Sequence, residues 1–172
     1  MRIVHSMFAV GMTALLGSAS SFAQAPATQA PSPLLTRLFS SSQDVAALID
    51  KAKRDARPGQ ATVLEPLLHL APYTAYLEYR TATVGPAAIH AHEDEFFYML
   101  EGSATVITGG KLVHSKPLNA GNLTGDSIEG GKAMRVSKGD VFVVPQNTPH
   151  WFSKVDGHVI DISLHVPGSA AQ

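Results

Sequence analysis

Residues 90–102 read HAHEDEFFYMLEG. His90 and His92 are two positions apart, so their side chains point to the same face if the segment is a strand. A carboxylate follows at Glu95, and an apolar run then ends at Gly102. Imidazole and carboxylate groups are ligands for divalent transition metals. The segment therefore predicts one half of a metal site carried on a β-strand.

The other half of the predicted site lies in residues 139–154, GDVFVVPQNTPHWFSK. A glycine–aspartate turn leads into an apolar strand, and a tight turn follows in which Asn147 can adopt the left-handed conformation. His150 then opens the next strand. Two hairpins, one with His90 and His92 and the other with His150, can close on a single metal ion.

The chain around these segments, from residue 61 onward, consists of short apolar or β-branched runs separated by turn residues. Many short strands at nearly regular spacing, with no helices between them, are typical of an all-β sandwich or barrel. Residues 116–132 are polar and glycine-rich and lack periodicity, so we predict a long functional loop there. The predicted strands are 62–70, 73–83, 88–92, 96–100, 104–108, 111–114, 134–136, 140–144, 150–154 and 158–166.

Three segments precede the predicted strands. Residues 1–23 combine an early positive charge, an apolar stretch and a small-residue cleavage pattern, as a secretory signal peptide does. Residues 24–40 are rich in Ala, Pro, Gln, Ser and Thr, which predicts a flexible leader. Residues 41–60 carry an apolar stripe with Ser42 as N-cap, which predicts a helix. We therefore expect a periplasmic or secreted protein without stable membrane association after cleavage.

The composition of the 172-residue chain excludes several classes of protein. There is no cysteine, so a metal ion could be held only by His, Asp or Glu, and a cysteine nucleophile is excluded. The formal net charge of −1 offers no basic field for nucleic acid. A hydrophobic share of 45% is that of an ordinary globular protein.

The two segments together resemble the motifs of the cupin superfamily, which are roughly G-x5-H-x-H-x3,4-E-x6-G and G-x5-P-x-G-x2-H-x3-N. Glu95 and Gly102 match the end of the first motif. The resemblance implies an all-β fold, an antiparallel jelly-roll β-barrel in one domain over residues 61–168, preceded by a short N-terminal helix. It also implies a homodimer. The second motif is matched in spacing by Gly139, Pro145 and His150.

The first motif departs from the family pattern, because only two residues separate His92 from Glu95. In a straight strand Asp94, rather than Glu95, would share the face of the histidines, so Asp94 is the alternative ligand. The distance from Glu95 to Gly102 favours Glu95. The resemblance implies one divalent ion, Fe, Mn, Zn, Ni or Cu, whose ligands are His90, His92, Glu95 and His150.

Three histidines and one carboxylate leave a position open on a metal, as catalytic sites do. We therefore expect an exported metal-dependent enzyme that acts on a small organic molecule by dioxygenase- or lyase-type chemistry. The alternative is a non-catalytic cupin that binds a metal or a small ligand. The candidates for an acid or a base are Tyr76, Glu78 and Arg80. The sequence does not determine which face of their strand points into the barrel. The histidines that fit neither motif, and are expected to be incidental, are His69, His114, His158 and His165. A pocket role is the alternative for His165, because it shares an alternating face of the last strand with Asp161 and Ser163.

Overall fold

The computed structural model describes residues 35–168. The predicted signal peptide, residues 1–23, lies outside the described residues, as does most of the predicted leader, residues 24–40. Of the leader's described residues, Arg37 forms an isolated antiparallel bridge with His69. Within residues 35–168, no helix has both the length and the apolar character that crossing a membrane requires.

Strands dominate the described part of the chain, and all of the strand pairs found there are antiparallel. Nine strands form one curled sheet, and β5 and β8 form a second sheet of two strands. The predicted fold class, an antiparallel jelly-roll β-barrel with one short N-terminal helix, is confirmed. The strands are β1 (Thr62–Leu70), β2 (Tyr73–Thr81), β3 (Ala87–His90), β4 (Glu93–Thr108), β5 (Lys111–Val113), β6 (Lys116–Asn119), β7 (Asn122–Gly125), β8 (Ser127–Glu129), β9 (Lys132–Ser137), β10 (Val141–Val144) and β11 (His150–Pro167).

The helix α1 (Ser42–Asp55) packs its apolar stripe against the sheet. Its N-cap is Ser41 rather than the predicted Ser42. Ser41 forms a capping box with Asp44, three residues further along the chain. Ser41 Oγ accepts from the Asp44 N–H at 3.1 Å, and the Ser41 N–H donates to the Asp44 carboxylate at 2.8 Å. The apolar contacts join Val45, Leu48, Ile49 and Ala52 of the helix to Val63, Leu77 and Ile160.

β4 and β11 are each one long strand where the sequence predicted two, and they pair with each other along most of their length. The glycines that were expected to end strands lie at irregularities inside them. Gly157, at φ 76°, falls within a register shift of β11. Gly102, at φ 79°, lies so close to His158 that a Cβ would be 2.0 Å from its carbonyl oxygen. Only glycine fits there.

The prediction of an irregular loop over residues 116–132 is wrong, because β6, β7 and β8 occupy most of it. β7 pairs with β3, so that Asn122 lies opposite His90. Pairing of backbone groups with a neighbouring strand orders this segment, and its polar composition does not reveal that pairing. The segment therefore contributes residues next to His90.

The inner face of the barrel carries polar side chains beside apolar ones. Alternation along β4 turns Glu95, Phe97 and Met99 to the same buried face. The residues opposite them on β11 are His165, Ser163 and Asp161, in that order. Burying a polar group costs free energy unless it is paired, so these positions mark a site rather than ordinary core packing.

Candidate metal centre

Three of the four predicted site residues meet inside the barrel. Glu95 is 4% exposed, and its carboxylate lies 3.4 Å from Nε2 of His90 and 3.1 Å from Nε2 of His150. The turn before His150 joins the two halves of the site, because Asn147 donates its N–H to the His90 carbonyl at 2.6 Å. Asn147 has φ 59°, so the predicted left-handed conformation is confirmed.

A fourth residue, His165, joins this group, so the structure favours the alternative of a pocket role over an incidental one. It lies opposite Glu95 in the sheet, and its Nε2 is 3.4 Å from Glu95 Oε1. Ligand atoms of His90, Glu95 and His165 all lie within 4.8 Å of one another. The sequence signal for this position is the alternating face that His165 shares with Asp161 and Ser163. We call His90, Glu95, His150 and His165 the Glu95 cluster.

Each histidine of the Glu95 cluster has an oxygen atom beside its Nδ1. An oxygen acceptor fixes the proton of a neutral ring on Nδ1, so the Nε2 lone pair points at Glu95. Histidines that bind metal ions have the same kind of outer partner. The three pairs are His90 with Asn122 Oδ1 at 3.0 Å, His150 with the Thr148 carbonyl at 3.3 Å, and His165 with Glu93 Oε2 at 3.2 Å.

The electrostatics of the cluster favour a positive charge at its centre. Glu95 Oε2 is buried and has no hydrogen-bond partner among the described residues. Burial raises the pKa of Glu95, but contacts with His150 and His90 lower it by more, and the net pKa lies well below its usual range. Burial lowers the pKa of His90, while Glu95 and Asn122 raise it by more. An ionised carboxylate beside a proton or a metal ion satisfies both shifts.

The Glu95 cluster lines a cavity of about 460 Å³. That volume falls within the roughly 300–1,000 Å³ of small-molecule sites. Tyr76, Glu78 and Arg80 line the same cavity. The face of β2 that carries these three side chains therefore points into the barrel, which the sequence did not determine. The tyrosine ring lies edge-on to His165, with the ring centroids 5.9 Å apart.

A second buried polar group lies in the barrel, and we call Glu78, Arg80, Asp161 and Ser163 the Arg80 cluster. Arg80 donates from Nε to Asp161 at 3.1 Å and from Nη2 to Glu78. Ser163 donates to the other Glu78 oxygen at 2.6 Å. The guanidinium stacks on Phe152, 3.8 Å from the ring centroid. Burial raises the pKa of Asp161 to about 8, against the lowering effect of Arg80.

Comparison with known proteins identifies the family. The family model described as Cupin matches residues 60–158. The chain belongs to the cupin family. No curated protein sequence matches it.

Solved structures resemble the chain at low sequence identity. BH2720 from Bacillus halodurans has a TM-score of 0.52 and 17% identity, and the match covers 79% of this chain and 86% of that one. KdgF from Halomonas sp. has a TM-score of 0.48 and 22% identity, with coverage of 66% and 83%. FeII HppE has a TM-score of 0.47 and 18% identity, with coverage of 62% and 52%, so the chain spans about half of HppE.

The structure does not bring His92 into the Glu95 cluster of this cupin. β3 ends at His90, the chain bends at the next two residues, and His92 is exposed. Its ring lies against Gly121, where a Cβ would be 2.8 Å from His92 Cδ2. The same-face prediction fails because it requires the strand to continue past His90. Counted back from Glu95, His90 has the spacing of the second histidine of the cupin motif, and the first then falls on Ala88.

The alternative carboxylate, Asp94, contacts the turn before His150 instead. Its Oδ1 accepts the backbone N–H of Gln146 at 2.7 Å. The chain bends after His90 and β4 begins at Glu93, so the alternation of side chains along β4 is independent of that along β3. The structure therefore places Glu95, rather than Asp94, on the buried face with the histidines.

Proposed function

We propose that the Glu95 cluster binds one divalent metal ion. The observation that carries the proposal is the convergence of three Nε2 atoms on one buried carboxylate, with each Nδ1 beside an oxygen. Imidazole and carboxylate donors suit Fe, Mn, Zn, Ni or Cu. The proposed ligand set exchanges the predicted His92 for His165 and is His90, Glu95, His150 and His165.

The protein is a metal-dependent enzyme that acts on a small organic molecule, by dioxygenase- or lyase-type chemistry. The support is a cavity in which titratable side chains stand beside the metal ligands. A bound metal ion would supply Lewis-acid or redox chemistry at its open position. Burial raises the pKa of Tyr76, with Glu93 adding to the shift, so its phenol stays protonated near neutral pH. Tyr76 can therefore donate a hydrogen bond or a proton to a ligand in the cavity.

Two further parts of the proposal come from the sequence. Export to the periplasm or the cell exterior follows from residues 1–23, which lie outside the described part of the chain. A homodimer follows from the cupin resemblance, and it stays a prediction.

Metal content and turnover of the purified full chain test the proposed function. We expect about one equivalent of metal per chain, lost on chelation and regained on titration with Fe²⁺, Mn²⁺, Zn²⁺, Ni²⁺ or Cu²⁺. His150→Ala should abolish this uptake, while His114→Ala should not, because the His114 side chain is 79% exposed. Oxygen uptake and product analysis with a panel of phenols and diketones then test dioxygenase-type and lyase-type catalysis.

The outcomes of this experiment separate the candidate functions. Turnover that disappears in His150→Ala supports the enzyme. Stoichiometric metal without turnover across the panel favours the non-catalytic binding cupin instead. Failure of the chain to take up any of the five metals would contradict the metal site itself.

A further inference from the structure

Arg80 places a cation in the wall of the cavity that the Glu95 cluster also lines. Phe152 covers one face of the guanidinium, and the carboxylates of Asp161 and Glu78 take Nε and Nη2. The side chain nevertheless stays 16% exposed. The exposed part belongs to a residue of the cavity wall, so a molecule in the cavity can reach it.

The hydrogen bonds of Arg80 within the chain do not use its whole guanidinium. Among residues 35–168, Nη1 of Arg80 has no hydrogen-bond partner, since the bonds found start from Nε and Nη2. Buried polar groups are usually fully paired, so donors left over at a cavity wall are available to a ligand. A planar guanidinium pairs best with a carboxylate or another oxyanion, through parallel N–H···O bonds.

The charges around the cavity also favour an anion. Glu78 matches the charge of Arg80, and Asp161 is largely neutral near pH 7 because burial raises its pKa to about 8. Glu95 then remains as the unmatched charge among these carboxylates. A divalent cation in the Glu95 cluster would leave the interior with one excess positive charge. A monoanionic ligand would cancel it.

We propose that Arg80 binds the carboxylate of the ligand that enters this cavity, so that the substrate class is small organic acids. The inference rests on the proposed function, because it takes the cavity beside the Glu95 cluster to be the ligand site. Arg80 is then a specificity-determining residue. It fixes the acid group while the remainder of the molecule extends toward the metal ligands.

Fluorescence of Trp151 offers a direct readout of ligand entry. Trp151 lines the cavity and is the single tryptophan of the chain. Its indole N–H donates to the Gly85 carbonyl at 2.8 Å, which holds the ring in place. The probes are acetate, pyruvate and benzoate, each titrated into metal-free and Zn²⁺-loaded full chain. Benzamide, which has the shape of benzoate without its charge, is the matched control.

We expect at least one of the three acids to bind the Zn²⁺-loaded chain, and to bind the metal-free chain more weakly because no cation then balances Glu95. Benzamide should bind at least about tenfold more weakly than benzoate. Arg80→Lys keeps the charge but loses the planar fork, so it should weaken acid binding. Arg80→Met combined with Glu78→Gln removes the charges of the buried pair together. It should abolish acid binding in protein whose circular dichroism stays native. Arg135→Met removes an arginine that is 53% exposed and should change nothing.

Three results would overturn the inference. In the first, none of the acids binds. In the second, benzoate and benzamide bind alike. In the third, acid binding survives unchanged in both Arg80 variants. The metal-free titration keeps this test separate from the proposed function, because a chain that binds benzoate through Arg80 but takes up no metal would contradict the metal site alone.

Discussion

The two buried polar clusters of this cupin differ in where their positive charge comes from. The Arg80 cluster holds its own cation between two carboxyl groups, and one of them is largely protonated near neutral pH. The Glu95 cluster sets one carboxylate among three imidazoles whose proton-bearing Nδ1 atoms point elsewhere. The first arrangement already contains a cation beside its carboxyl groups, although Asp161 Oδ2 has no hydrogen-bond partner among the described residues, whereas the second needs an added proton or metal ion. This difference supports the proposal that the metal ion binds at the Glu95 cluster rather than at the Arg80 cluster.

The largest expected effect is a loss of folding stability when the Arg80 cluster, rather than the Glu95 cluster, is disrupted. Arg80→Met leaves Glu78 as an uncompensated buried charge, and we expect the free energy of unfolding to fall by about 3–5 kcal/mol. Metal stoichiometry should not change. Urea unfolding in the presence of a chelator, followed by metal titration, measures both. Adding Glu78→Gln to Arg80→Met should restore most of the loss. A stable Arg80→Met protein that has lost its metal would reverse the assignment.

The next effect is a pH dependence that originates in the Arg80 cluster. Burial raises the pKa of Asp161 from 3.8 to about 8, so the folded state holds a proton that the unfolded state releases above about pH 4. The stability that this proton contributes is complete below that pH and is lost as the pH rises toward 8. Asp161→Asn should remove this decline. Urea unfolding of the metal-free proteins at intervals from about pH 5 to about pH 8 measures it. Equal slopes for the two proteins would refute the shift.

A smaller effect distinguishes two histidines that the sequence ranked in the opposite order. His165→Ala removes a proposed metal ligand. We therefore expect it to weaken metal binding by at least about 100-fold, which is the largest loss typical of removing an outer partner of a ligand. His92→Ala should leave the affinity unchanged, since His92 is exposed at a bend. Competition titrations with a chromophoric chelator give both values. The reverse order would reinstate the ligand set predicted from the motif.

The smallest effect concerns the residue that orients His90. Asn122→Ala removes the oxygen beside His90 Nδ1 and should weaken metal binding by about tenfold, the lower end of the range for outer partners. Asn119→Ala is the matched control, because Asn119 lines the same cavity. The same competition titration applies. If the two variants behave alike, Asn122 does not position the ring.

The sequence predicted those features that depend on local chemistry. The left-handed Asn147, the helix and most strand positions follow from turn residues and from periodicity. It failed where the outcome depends on where a strand ends. A period of two puts His90 and His92 on one face only in a continuous strand, and β3 stops at His90. It also failed where pairing is long-range, because neither the register of His165 against Glu95 nor the position of β7 beside β3 is encoded locally.

Anomalous diffraction from crystals of the Zn²⁺-loaded full chain can locate the metal ion and its ligands. We expect one strong anomalous peak, bonded to Nε2 of three histidines and to the Glu95 carboxylate. The three histidines should be His90, His150 and His165. A peak at His92, or no peak within the barrel of protein that has taken up zinc, would contradict the proposed metal site.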